Sequence, residues 1–496
     1  MNVKKILGAI ICIPIILSGV SGCKKEENSY EEKVILKYIM PGPGLQNDSE
    51  MVWEEFNRRL SEKLPNVRVD FEVIPLNEYK RKFMLMCSAR EQIDIVNNYS
   101  LDFSNEVING TFEPLDELLQ LYGKETLQAL PDWFMNYQKY NDVTYGIPTY
   151  QMCADLRSIF FLKEHTDKYL DIDELKNALY SSNVFTQGFY DILTKFISDM
   201  KEDGINFKDT TLINVRGYES LINMYGYEYS DPAHEVKNIY FNDDSYVRFK
   251  TAREWYEAGY IREDALSETN YDNIMGKYDG MPFWDSSATP FTAAALSVKY
   301  GREIIAVPFF EDEFIHYQNT AAGTSIMSKC NHKKEAMQVI NLLQTDEELY
   351  NLLTFGIEGV HYTKSGDDSI VTSFDSTPTS HDNYGLYKWV VANTYNAYNN
   401  QTEPAEYKNW VFDECNSSDW RSDLIGFQPD TSKIQDYLTQ TANVKEKYLS
   451  PLNYGVLPDW ETYFNTAITE LDLVGGKQIK EELQRQVDEF LASKAE

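Results

Sequence analysis

The sequence predicts an α/β protein of two domains, and three observations carry the prediction. The chain has 496 residues, whereas a single hydrophobic core stops growing at about 250 to 300. Segments of strand and helix character alternate from the first apolar run after residue 33. The strand segments are continuously apolar, as parallel strands are when helices cover both faces of their sheet.

Taken in order, Val34 to Met40 reads as a short buried strand. After Pro41-Gly42-Pro43-Gly44 a helix begins near Ser49 and puts Val52, Trp53, Phe56 and Leu60 on one side. A second strand covers Val67 to Ile74, a helix follows from Glu78 to Ser88, and Ile93 to Val96 forms a third strand. Sheets of this kind bind ligands outside the carboxyl ends of their strands. That rule places Pro41 to Gln46 and Asn97-Asn98-Tyr99 on the binding rim, although a plain turn accounts for the Pro-Gly repeat equally well. Phe103 to Gly123 is helical with a break at Thr111 to Asp116, and Asp142 to Tyr150 reads as a hairpin leading into an extended strand. Residues 160–265 read as mostly helical, Ile304 to Pro308 as a buried strand, and Ala336 to Leu343 as a helix. The last helix, Gln478 to Ser493, sets Ile479, Leu483, Val487, Phe490 and Leu491 on one face, the spacing of a helix docked on a core.

The N-terminus bears on the compartment. Lys4 and Lys5 precede an apolar run from Ile6 to Leu17, which gives way to small residues before Cys23. Such a run is too short to span a bilayer comfortably and has the form of an export leader. Val20-Ser21-Gly22-Cys23 resembles the bacterial lipobox, in which the cysteine thiol is diacylated and the bond before it is cut. The expectation is a signal peptide over 1–22 and a lipid-anchored polar tether over 23–32. An ordinary secreted chain with a chance cysteine is the alternative. The nine residues after Cys23 would reach roughly 30 Å when extended, so the globular body would float just above the headgroups on the outer face of the cell membrane.

Charge and cysteine usage exclude several classes. With 46 basic and 78 acidic residues the formal charge is −32, a balance that repels nucleic acid and anionic headgroups. Of six cysteines, Cys12 leaves with the leader and Cys23 carries lipid. Cys87, Cys153, Cys330 and Cys415 remain, far apart and without C-x-x-C spacing; buried free thiols are favoured, and three pairings exist if all are bonded. The six histidines form no H-x-x-x-H pair, so no metal site is expected. Gly-x-Ser-x-Gly, His-Glu-x-x-His and phosphate-loop motifs are missing, and no cofactor is expected.

Several tracts in fixed order resemble the extracellular solute-binding proteins of ABC importers, the family that includes maltose-binding protein. They are Asn77-Glu78-Tyr79 to Met86 ahead of Ile93-Asp94, Gly110 to Asp116, Tyr145-Gly146-Ile147-Pro148, Trp255 to Asp264, and Thr345 to Tyr350 leading to Gly356-Ile357-Glu358-Gly359-Val360-His361-Tyr362. That last tract, Leu424 to Phe427 and the closing helix are similar to a lipoprotein branch with an extra C-terminal region of unassigned function. One departure is Ser88-Ala89-Arg90-Glu91, where the family often has a Ser-Gly-Glu turn.

The resemblance implies a two-lobe, periplasmic-binding-protein-like (type II) fold with a hinge and an interlobe cleft. Lobe one is expected at 33–150 plus 308–350, and lobe two at 151–307 plus 351–496. Tyr145 to Tyr150 and Ile304 to Pro308 then cross between them. The implied function is capture of a small solute, most naturally an oligosaccharide, and delivery to ABC permease subunits by a monomeric, non-enzymatic lipoprotein. A lipid-anchored glycosidase and a non-transport sensor or adhesin are the rival readings.

A sugar presents flat C–H patches and a rim of hydroxyls, so its site needs aromatic faces together with amides or carboxylates. The 35 tyrosines and 8 tryptophans permit such a site without locating it. Trp284 is the sharpest candidate, because sugar-binding relatives carry a tryptophan turn before the returning strand; core packing is its alternative. Asp285 is either a second solute contact or a helix cap. Tyr150 and Gln151 lie just past the first crossing, and Asn98 and Tyr99 end the third strand. Tyr362 completes the set, although a tight structural turn explains its glycine-containing tract as well. Anchoring is directly testable: Cys23→Ala should abolish incorporation of radiolabelled palmitate, and equal labelling of both forms would refute a lipoprotein.

Overall fold

Five strands make the first sheet, in the order Val67–Pro75, Val34–Gly42, Ile95–Asn97, Gly323–Ile326, Ile147–Pro148. The computed structural model describes residues 33–207, 210, 215–229, 231–267, 281–311, 315–316, 322–366, 369–372, 378–401, 403–416 and 421–495. The leader, lipobox, Cys23 and tether lie outside them, as does Gly280 ahead of Trp284. No helix among the described residues is long and apolar enough to cross a membrane.

The N-terminal units follow from the pattern that predicted them. Strand β1 (Val34–Gly42) is buried throughout from Tyr38 onward, which suits a strand covered on both faces. Helix α1 (Ser49–Lys63) buries Val52, Phe56 and Leu60, and β2 (Val67–Pro75) runs parallel to β1 with Tyr38 opposite Phe71. Asn57 fastens the helix to the strand: its amide donates to the Val69 carbonyl at 2.9 Å and accepts from the Val69 N–H at 2.7 Å. Helix α2 (Tyr79–Ala89) leads to β3 (Ile95–Asn97), which is also parallel to β1 and starts two residues later than the apolar run suggests. The buried Tyr79 hydroxyl donates to the Asn97 carbonyl and so fixes the end of β3. Alternate β1 residues feed separate cores, Leu36, Tyr38 and Met40 on one face and Ile39 on the other.

A second sheet of three antiparallel strands, Phe283–Ser286, Ser158–Leu162 and Ile304–Pro308, forms the centre of lobe two. Phe161, Phe283 and Val307 face one core, while Phe160, Leu162 and Ile304 face another with Trp284 beside them. Ile304–Pro308 therefore sits within lobe two and is not itself a crossing. The crossing is a ribbon in which Ala154 pairs with His316 and Asp155 with Ile315. The lobe-one pairing of Ile147–Pro148 with Gly323–Thr324 lies N-terminal to it on one strand and C-terminal to it on the other.

Two further expectations change. Residues 160–265 contain, besides helices, a small antiparallel sheet of Tyr218–Ile222, Tyr225–Glu228 and Lys237–Asn238. Its first strand buries Glu219 and Leu221 in alternation, and Asn223 turns the hairpin with φ of 53°. Residues from 351 onward were expected in lobe two, but Leu352 to Tyr398 bury their apolar side chains in the lobe-one core. Hydrogen bonds explain the placement: Asn97 donates its amide to the Val390 carbonyl at 2.8 Å, and the Tyr350 hydroxyl donates to the Lys388 carbonyl at 3.0 Å. The final helices, Gln435–Asn453, Trp460–Leu473 and Gly476–Ala495, build a core of their own with Tyr225, Tyr227 and Phe249. Cys87, Cys153, Cys330 and Cys415 are free thiols.

Arg90, at the position where the family resemblance leads one to expect glycine, caps α2 in the left-handed region with φ of 58°. That conformation costs a residue with a Cβ about 1 to 2 kcal/mol, and glycine would return part of the gain by losing more entropy on folding. Arg90→Gly should therefore raise stability by up to about 1 kcal/mol, read as a higher urea midpoint at unchanged slope. A lower midpoint would contradict the left-handed cap.

Candidate functional site

The carboxyl end of β3 is held by hydrogen bonds of side-chain amides. Asn98 is 6 % exposed, and its side-chain N–H groups donate to Gln138 Oε1 at 2.6 Å and Ser325 Oγ at 3.0 Å. Gly146 and Gly323 make room for this pair: a Cβ on either would run into the Gln138 amide. Asn98 therefore secures the rim, with its amide donors already committed inside the protein.

Tyr99 behaves differently. Its backbone N–H donates to Asn97 Oδ1 at 3.0 Å, and its half-buried ring meets Trp389 edge to face at 5.0 Å between centroids. Trp389 in turn stacks on Tyr387, at 5.7 Å and 20°. Leu386 and Val390 are buried while Tyr387, Lys388 and Trp389 between them are half-buried, so both aromatic rings rest against the lobe-one core and keep part of their surface exposed. The loop after β1 supports it, because Gln46 donates to the Thr379 carbonyl at 2.7 Å and accepts from the Gly385 N–H at 3.0 Å. Beside Trp389, Lys388 is paired with Glu403.

The first crossing contributes Tyr150 and Gln151. The Tyr150 carbonyl accepts from both the N–H and the hydroxyl of Thr394, at 2.8 and 2.9 Å. Its ring lies between Phe134 and Phe412, 4.8 and 4.9 Å away, and burial raises the phenol pKa. Gln151 accepts an amide N–H from Asn416 through its carbonyl at 2.9 Å. Its Nε2 is buried without an acceptor among the described residues. A buried donor left unmet costs about 1 to 3 kcal/mol.

The remaining candidates each make contacts within the protein. Trp284 is half-buried and stacks on Phe160 at 5.4 Å and 20°, which commits one face of its ring to lobe two, as Tyr387 does one face of Trp389. Asp285 interacts electrostatically with buried Arg248 and Tyr190, which gives it a role as a countercharge. Tyr362 is 8 % exposed, packs on Phe355 and Tyr398, and its hydroxyl is pushed up to about 12 by burial. His361 next to it accepts from the Ile357 N–H and reaches Asp48 at 3.3 Å, tying the glycine turn to the start of α1. Among the described residues no cluster of three His, Cys, Asp or Glu is placed to hold a metal. Sequence reasoning missed Tyr387 and Trp389; their signal is two aromatics at i and i+2 between apolar residues, Leu386-Tyr387-Lys388-Trp389-Val390.

Residues 423–492 match a family model described as a domain of unknown function, DUF3502. Over 514 aligned residues the chain is 24% identical to a carbohydrate ABC transporter substrate-binding protein of Streptococcus pneumoniae serotype 4 (strain ATCC BAA-334 / TIGR4), with 99% of each covered. The crystal structure of the N-glycan transport solute binding protein NgtS from Streptococcus pneumoniae aligns with a TM-score of 0.75 at 21% identity, covering 93% of this chain and 99% of that one. The alginate-binding protein AlgQ2 aligns with a TM-score of 0.61 at 17% identity, over 92% and 98%. This chain has the two-lobe fold of the solute-binding proteins of ABC importers and is, along nearly its whole length, a relative of a carbohydrate ABC transporter substrate-binding protein.

Proposed function

We propose that this chain captures an oligosaccharide outside the cell, held to the membrane by acylated Cys23, and delivers it to an ABC permease without catalysis. The observation that carries the reading is the aromatic platform of Tyr99, Trp389 and Tyr387 at the carboxyl end of the lobe-one sheet. Aromatic faces pair with the C–H patches of pyranose rings, and the amide of Gln151 supplies the polar complement. Relatives support the choice of solute: NgtS is known in complex with Man1GlcNAc and with Man5GlcNAc. The paired crossing ribbon gives the lobes one line about which to close, and solute bound to both lobes favours the closed population by its differential affinity.

A thermal-shift screen led by those two glycans identifies a ligand, since saturation at 100 times the dissociation constant stabilises by about 2.7 kcal/mol. Calorimetry on Trp389→Ala should then show a loss on the order of 2 kcal/mol, about thirtyfold in affinity, with no sugar released from the glycan. Trp284→Ala should act mainly on folding, by roughly 3 to 5 kcal/mol in urea unfolding. Unaltered affinity in Trp389→Ala would remove the platform from the site. Small-angle scattering should also give a smaller radius of gyration at saturation, and an unchanged radius would mean a rigid pocket.

A further inference from the structure

A crevice of about 500 Å³ lies where three parts of the chain meet. The connection from β3 into the helix Phe103–Ile108 forms one wall, the tip of the Tyr218–Glu228 hairpin a second, and the helix Gln435–Asn453 the third. This last wall belongs to the C-terminal region matched as a domain of unknown function. The crevice is thus lined from both lobes, and Asn98 and Ser100, the two neighbours of Tyr99 in sequence, are among its lining residues.

Its chemistry is narrow. The polar lining is mostly amide and hydroxyl, including Ser100, Gln138, Asn223, Gln428, Thr439 and Asn443, with Lys80 and Asp102 as the charged members. Asp102 is already occupied, accepting from Asn105 at 2.8 Å and from Thr431 at 3.3 Å. Lys80 is exposed at the edge. Ser100, Asn223 and Asn443 are also exposed, and their side chains make no hydrogen bond among the described residues. Thr439 and Asn443 are one turn apart on one helix face, and Leu221, Ile222 and Leu438 supply apolar patches. Amides and hydroxyls offering both donors and acceptors around small apolar surfaces match a neutral polyhydroxylated ring. A net charge of −32 disfavours an anionic one.

We infer that this crevice is a second saccharide subsite, which binds the distal residues of a neutral oligosaccharide whose near end stacks on the Tyr99–Trp389–Tyr387 platform. The C-terminal region then sets the length of glycan that the protein retains. The inference rests on the proposed oligosaccharide function.

Two variants on the exposed helix face test it, Asn443→Trp to fill the crevice and the double change Thr439→Val with Asn443→Ala to remove polar groups without adding bulk. Calorimetry compares Man1GlcNAc with Man5GlcNAc on each variant and on wild type, and circular dichroism checks folding. The expected result is a loss of roughly tenfold or more for the longer glycan, equivalent to one or two hydrogen bonds, with the shorter one unchanged. Equal weakening of both glycans, or of neither, would overturn the subsite while leaving the platform intact. Binding of neither glycan by wild type would overturn the choice of solute and the subsite with it, and Trp389→Ala would then have no effect either.

Discussion

The ribbon of Ala154–Asp155 against Ile315–His316 is the constraint on which the rest of the molecule depends. Two residues from each strand suffice because the pairing is continued on either side, by Gly323–Thr324 with Ile147–Pro148 and by Ile304–Pro308 with Ser158–Leu162. With these pairings the two passages link sheets that share no strand. Each lobe must then complete its own core, and the space between them is left for solute. A third passage reinforces the link. Trp410, Val411 and Cys415, in a single wide turn of π-helix, pack against Ala154, and Asn416 accepts from Cys153.

How far the fold was legible depended on whether a segment's surroundings were local. β1, α1, β2 and α2 carry their own periodicity, and the structure reproduces them within a residue or two. The strand Tyr218–Ile222 alternates as strands do, but it stands among strong helices and is short, so the helical reading of its neighbours swept it up. Assignment of Leu352 to Tyr398 to a lobe turned on Asn97 meeting Val390 and Tyr350 meeting Lys388, contacts that leave no period in the sequence. The site shows the same division. The rule about carboxyl ends of parallel strands directs attention to Asn98 and Tyr99, whereas the contact of Trp389 with Tyr99 joins distant parts of the chain, which the local spacing of Tyr387 and Trp389 does not announce. For Tyr362 the sequence offers a solute contact or a tight structural turn at its glycines, and the side chain is buried against Phe355 and Tyr398.

The C-terminal region is woven into the interlobe architecture. Its helices share a core with the Tyr218–Glu228 hairpin, while its connecting loop reaches lobe one: Gln428 donates to the Tyr137 carbonyl, and the Arg421 guanidinium lies 3.8 Å over the Trp133 ring. Under the proposed closure these contacts would have to move with the lobes or be exchanged, which would couple the region to that motion.

The interrupted course of the first lobe also bears on the order of assembly. The sheet strands of the second lobe come from 158–308, an unbroken stretch whose contacts are comparatively near in sequence. The first sheet cannot be finished until Gly323–Ile326 arrives, nor its core closed until the segment around Val390 does. Closing so large a loop is entropically slow. A chain emerging N-terminus first therefore holds its opening β-α-β units incomplete while the inserted lobe matures, which reverses the usual N-to-C sequence of domain folding.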